Sequence, residues 1–363
     1  MNRSRRTFRL SFLVAFSLPL FSFDLLSSVG QAYADPVNDA ALMAGKPARQ
    51  LSEYNLFADG LEQTPTEGVV PYDLVTPLFS DYASKDRFIY VPEGKTAEYD
   101  DDDVFRFPVG TTLVKTFSYP ADLREPEKDI RLIETRLLVH QKDGWKAFAY
   151  VWDEEAADAT LKIAGKRLSV DVIDSSGNPV SINYAVPNAN QCKECHANGD
   201  RITPIGPSAR NLNHQFSYET GAANQIETWS ERGILRGARS ADEAPRAANW
   251  TDPTLPIDAR ARTYLDVNCA HCHRLEGAAS NSGLFLRSSE TDPVKWGLMK
   301  RPVAAGRGSG DHKFDIVPGK PEESILIYRM KSLDPGVMMP ELGRSMVHEE
   351  AVEMLEEWIA QLD

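Results

Sequence analysis

Apolar and polar residues alternate through the first half of this chain and recur at helical spacing in its last third. Between Asp86 and Pro187, the runs Arg87–Val91, Val104–Phe107, Thr111–Tyr119, Ile130–Gln141, Trp145–Trp152, Leu161–Ile173 and Val180–Val186 are rich in β-branched and aromatic residues. Gly94, Pro108 to Gly110, Asp143-Gly144 and Ser175 to Pro179 punctuate them, so the pattern predicts strands joined by tight turns. Strands this close in sequence pair as hairpins, which predicts an antiparallel β-sandwich or partly closed barrel over residues 35–187. Upstream, Leu51–Phe57 predicts a short helix, and Thr64-Pro65, Pro71 and Thr76-Pro77 predict an irregular surface path.

The character changes at Asn188. Residues 188–255 are polar and loop-rich, with helix expected near Tyr218–Gly233 and a proline-bounded linker at Asp252–Pro256. A helix from Asp258 towards Cys269 then sets Ala261, Tyr264, Leu265 and Asn268 along one side. A short helix after Pro321 carries Ile325, Leu326 and Tyr328, and a last one, about His348–Gln361, spaces Ala351, Leu355, Trp358 and Leu362 helically. The expected fold class is α+β multidomain: a β-rich domain (35–187), a loop-rich segment (188–255) and an α-helical domain (256–363).

The chain's four cysteines fall into two matching arrangements, Cys192-Lys-Glu-Cys195-His196 and Cys269-Ala-His-Cys272-His273. Two thiols one helical turn apart can each add across a haem vinyl group as a thioether, and the imidazole that follows comes under the porphyrin to ligate iron. Cys192, Cys195, His196, Cys269, Cys272 and His273 are thus the expected holders of two covalently attached haem c groups. The rival is a structural zinc site built from two Cys-x-x-Cys hairpins. With 7 His in 363 residues, a histidine directly after both pairs arises by chance about once in 2,700. The spacer between the pairs also far exceeds the gap of a zinc ribbon. A disulfide framework is the weakest reading of the three.

In residues 256–363, the order helix, Cys-x-x-Cys-His, loop, helix, Met-Pro and terminal helix resembles a small cytochrome c domain. That resemblance makes Met339, followed by Pro340, the distal ligand of the second iron, with Met338 its near competitor, while Met330 and Met354 are core filler. His271, between two thioether cysteines, cannot turn back to that iron and is read as solvated. The first site departs from the pattern, because no methionine lies between His196 and Cys269. Three possibilities stay open there: His214 completes a bis-histidine haem, the iron is five-coordinate, or a residue of the β-domain reaches over. His140 is read as a packed sheet residue, and Asp100 to Asp103 as a solvated turn before a strand rather than a calcium loop.

Over most of its length the chain resembles a family of secreted bacterial dihaem c-type cytochromes. The stretches that carry this are Thr76-Pro-Leu-Phe-Ser-Asp-Tyr-Ala83, Tyr150-Val-Trp152, Asn190 to His196, Ile205-Gly-Pro207, Asn211-Leu-Asn213 and Val267 to His273. The resemblance implies electron transfer in the periplasm. A second likeness is one of order only: Phe107 to Lys115 and Gly144-Trp145, followed by Cys-x-x-Cys-His, are similar to cytochromes that oxidise hydroxylamine at a lysine-cross-linked haem. Lys115 is its carry-over candidate, against a plain reading as a solvent-facing strand lysine.

Residues 1–34 read as a signal peptide, with Arg3, Arg5, Arg6 and Arg9 before the apolar run Leu10–Phe23 and a small-x-small site at Ala32-Tyr33-Ala34. The arginine pair looks like a twin-arginine signal, but haem attachment acts on an unfolded exported chain, so the general secretory route is expected. Membrane contact arises only if the segment stays uncleaved. Losing four arginines and Asp24 moves the formal charge from −13 to −16. A surface so acidic repels nucleic acid and suits docking to a basic patch on another cytochrome, an oxidase or a dehydrogenase. Two functions follow: an electron carrier, or a haem oxidoreductase of peroxide or small nitrogen compounds with an open first haem fed by the second.

Overall fold

The computed structural model describes residues 35–363 apart from Glu154, Ala156 and Ala304, and the expected signal peptide at 1–34 lies outside the described residues. Its centre is an antiparallel sheet of six strands in chain order: β1 (Val69–Tyr72), β2 (Ser84–Tyr90), β3 (Thr112–Tyr119), β4 (Arg131–Gln141), β5 (Gly144–Asp153) and β6 (Asp158–Leu161). Every neighbouring pair is antiparallel and follows chain order, with one short strand, Ala97–Glu98, interposed between β2 and β3 and paired instead with Leu235–Arg236. Pro71, which has no N–H to give, is confined to the edge strand β1. The β4–β5 hairpin closes on Gly144 at φ +111°, a conformation that glycine adopts without strain.

The sheet stays open, and no closed barrel forms among the described residues. The expected strand Leu161–Ile173 is in fact two, because the chain turns at Gly165 (φ +72°) between β6 and β7 (Lys166–Ile173). Strand β7 pairs with β8 (Pro179–Val186) rather than with the six-stranded sheet, and its last residue, Ile173, also bridges Asp122. Val104–Phe107 is not a strand of the sheet either. Phe105 and Phe107 are buried against Trp229 and its neighbours, so their alternation reflects a loop that covers a core. The acidic run before them does form a turn, in which the Asp100 carboxylate accepts the N–H groups of Asp102 and Asp103.

Each face of the sheet is covered by different chain. One packs Phe88, Val114, Leu137 and Tyr150 under Leu42, Leu51, Tyr54 and Leu56 from the N-terminal segment, where Leu51–Tyr54 is a single 3-10 turn. The other is covered at one end by Leu212, Ile226, Trp229 and Leu235, and at the other by the β7–β8 hairpin through Val170, Ile182 and Tyr184. A cavity is left in the middle of this second face. His140 stacks on Trp145 with centroids 4.6 Å apart and hydrogen-bonds the Phe107 carbonyl, a packed sheet residue.

Besides two four-residue turns of helix, Asp39–Leu42 and Ala209–Leu212, the α-helices among the described residues are α1 (Ala189–His196), α2 (Gln225–Glu231), α3 (Ile257–Asn268), α4 (Ile325–Lys331) and α5 (Glu349–Ala360). Ala261, Tyr264 and Leu265 of α3 and Ala351, Leu355 and Trp358 of α5 share one core, as their spacing predicts. None of the described helices is long and apolar enough to cross a membrane. Residues 35–363 belong to one compact unit, tied together by the segment 76–83. Thr76 bonds Asn211 and Ala248, the Phe79 N–H bonds the Asn268 side chain, and Asp81 accepts from the N–H groups of Ser345 and Met346 and from the Ser345 hydroxyl.

Candidate functional site

Helix α1 carries the first cysteine pair. Its start is held by a reciprocal capping box in which the Asn188 side chain accepts the Gln191 N–H and the Gln191 side chain accepts that of Asn188. Cys192 and Cys195 are both free thiols, as are Cys269 and Cys272. His196 Nδ1 lies 2.9 Å from the Thr203 carbonyl. A carbonyl can only accept, so the proton is on Nδ1 and Nε2 keeps its lone pair, the arrangement that orients a ligating imidazole. Burial pushes His196 down to about 4, the Thr203 bond opposes this, and Lys115 and Arg136 add to it. The ring is therefore neutral at ordinary pH.

His196 and Cys192 line the cavity of about 510 Å³ above the second face of the sheet, a size usual for cofactor sites. Its floor is a row of three cations in register: Arg87 of β2 pairs with Lys115 of β3, and Lys115 with Arg136 of β4. Like charges directly opposed across strands destabilise a sheet, so the row calls for anions. Arg136 is served on one side by Glu134, which is fully buried and bonds it through both oxygens at 2.7 and 2.8 Å. Arg87 bonds Asp73 through one nitrogen, but its Nη2 is buried without a partner. Arg274 Nε and His271 Nδ1, in the same lining, are also buried and unpartnered. A haem, with a flat apolar ring and two propionates, fits these groups: Leu113, Leu138 and Ile205 for the ring, and Arg87, Lys115 and Arg274 for the carboxylates.

Lys115 is not the solvent-facing lysine its strand position suggested. It faces the cavity, and burial, then Arg87, Lys85 and Arg136, pull its ammonium well below the usual lysine range. Asp101, Asp102 and Asp103 also line the cavity. Asp101 pairs with Arg239 and Asp103 with Arg287.

The second pair ends helix α3. The His273 N–H reaches the Cys269 carbonyl at 2.9 Å, a continued helical turn, and His273 Nδ1 lies 3.3 Å from Ser282 Oγ. The Ser282 hydroxyl donates to the Ala279 carbonyl, so Nδ1 is again the donor and Nε2 again keeps its lone pair. Burial pushes His273 down to about 4, with Arg329 contributing, and pushes the Cys269 and Cys272 thiols up to about 12. The Met-Pro turn is close by. The Met339 N–H bonds the Arg329 carbonyl, and the charge of Glu341 contributes to the shift at Cys272. Met338 is buried and Met339 half-buried, with the Met339 carbonyl held by Arg344.

Gly277 closes the loop over this motif. A Cβ there would lie 2.3 Å from the Cys272 carbonyl oxygen and 2.9 Å from that of His271, both rigid backbone. We expect Gly277→Ala to destabilise the protein by about 1–3 kcal/mol, measured as a lower urea midpoint.

The structure brings the two motifs together. The Gly199 N–H donates to the Glu276 carbonyl at 3.0 Å, and Arg274 donates to the Ala197 carbonyl at 3.1 Å. The shift at Cys272 includes a contribution from Cys195. His271, expected in solvent, lines the first cavity beside His196. Burial, then His196, Arg274 and His273, push it down to about 4, and the Val267 backbone opposes them. His214 is elsewhere. It is half-buried before α2, its Nε2 has no partner, and it is not among the residues lining the cavity. Among the described residues, no group of three or more His, Cys, Asp and Glu is placed to hold a metal ion. Comparison of the chain with family models, curated proteins and solved structures finds no match.

Proposed function

We propose that this chain is a periplasmic c-type cytochrome that holds two covalently attached haem c groups and passes electrons between redox partners. One observation carries the reading: each Cys-x-x-Cys-His stretch presents two unpaired thiols and a neutral imidazole whose Nδ1 is engaged, leaving Nε2 for iron. Haem supplies the one-electron iron couple. The chain orients both imidazoles, excludes water with the cores around them, and offers cations to the first pair of propionates. The contact between the motifs favours electron passage inside the molecule. The acidic surface suits a basic docking site on another cytochrome, an oxidase or a dehydrogenase.

The test is the haem content of the protein made in a host that matures c-type cytochromes. Two covalent haems per chain are expected, and one in the Cys269→Ala/Cys272→Ala double variant. In Met339→Ala the second haem should show a lower reduction potential, since a thioether ligand raises it. A colourless product would sink the reading. An unchanged potential would transfer the ligand role to Met338 or to another residue.

A further inference from the structure

A six-coordinate first iron would need a group opposite His196, and the first segment supplies none to the cavity: it has no methionine, and His214 is not in the lining. Of the side chains that do line it, His271 has the right chemistry. Its Nδ1 is buried without a hydrogen-bond partner. Lys115 is the other nitrogen to consider, but as an ammonium it has no lone pair to give, and its Nζ lies 4.8 Å from the Phe117 ring centroid, within the cation row that faces the propionates.

We propose that His271 is the sixth ligand of the first haem iron, donated by the attachment loop of the second haem. The inference rests on the dihaem reading. It makes the first site bis-histidine, with His196 from α1 and His271 from the turn after α3. The ligand is also the residue next to Cys272, so imidazole, peptide and thioether form a continuous covalent path from the first iron to the second porphyrin. Contacts already described hold the loop in place: Arg274 on the Ala197 carbonyl, and Glu276 on the Gly199 N–H. The first site is then complete only when the second motif has docked. A single Cys-x-x-Cys-His segment would leave its iron open.

The experiment uses the purified holoprotein, wild type and His271→Ala, with covalent haem counted first. Two haems per chain in both proteins uphold the dihaem reading, and fewer in the wild type overturn that reading rather than the ligand assignment. The dithionite-reduced spectrum is then recorded before and after carbon monoxide. We expect no gas binding in the wild type and binding by one of the two haems in His271→Ala, with the low-spin spectrum restored by added imidazole. If His271→Ala loses haem, His271→Met provides the reading: it should stay six-coordinate and raise the first potential only. A wild type that already binds gas at one haem overturns the proposal. So does a His271→Ala spectrum unchanged and closed to gas, or a His271→Met potential equal to the wild type's.

Discussion

Glu134→Ala is expected to cost about 1.5–3 kcal/mol of folding stability, because it removes the buried acceptor of a charge-assisted pair whose other member, Arg136, is 30% exposed. Glu134 is fully buried on β4, and both its oxygens bond Arg136 two residues on, the spacing that keeps them on one face of the strand. The Tyr184 hydroxyl, from the hairpin laid over this face, donates to Glu134 Oε2 at 2.7 Å. Without the carboxylate, Arg136 is left beside Lys115 with no counter-charge and Tyr184 with an unpaired hydroxyl. Glu134→Gln keeps the shape and one acceptor and should lose less. Urea unfolding of the three proteins measures both, and equal midpoints for Ala and wild type would mean that solvent already serves Arg136. The same variant should weaken attachment of the β7–β8 hairpin, read as faster amide exchange there than in β3.

Acid should weaken the protein through His348. This ring stacks on Phe79 with centroids 4.0 Å apart, accepts or donates at the Tyr264 hydroxyl, and lies edge-on to Trp250 and Tyr82. It thereby joins segment 76–83 to helices α3 and α5. Burial pushes it down from 6.5 to about 4, partly opposed by Glu350 and helped by Lys85. The folded chain therefore holds the ring neutral where the unfolded chain would protonate it. Its contribution is whole above pH 6.5 and is lost as pH falls towards 4. At 1.36 kcal/mol per pH unit, the loss is roughly 3 kcal/mol, with little screening because the side chain is only 12% exposed. His196, His271 and His273 are depressed to about 4 as well. The effect is thus isolated by comparing wild type with His348→Gln at pH 7 and pH 5. The wild type's advantage should shrink at the lower pH, and a constant difference would refute the assignment.

Much of the fold was legible because its causes are local. The strands at Thr112–Tyr119 and Arg131–Gln141 and the helices at Ile257–Asn268 and Glu349–Ala360 fall within a few residues of their expected limits. Periodic burial and the turn residues between them decide such segments. Phe105 and Phe107 misled for the opposite reason. A loop lying on a core also alternates, and only the core beneath it shows that it does.

The segment Thr76 to Ala83 was recognisable as a pattern but mute about its purpose. Its role is to accept and donate hydrogen bonds to residues more than a hundred positions away, such as Asn211, Asn268 and Ser345.

By itself the sequence determined the chemistry that depends on adjacency. Two thiols and an imidazole within five residues, as the proposed haem attachment needs, stand together in any fold, because the peptide itself sets their spacing. Tertiary structure alone decided what depends on register and docking. Arg87, Lys115 and Arg136 become one row only because β2, β3 and β4 pair as they do, and a slip of one residue would send Lys115 to the opposite face. His271 enters the first cavity only because the second motif packs against the first. No spacing along the chain encodes either, since each is a contact between segments whose separation the fold, not the backbone, closes.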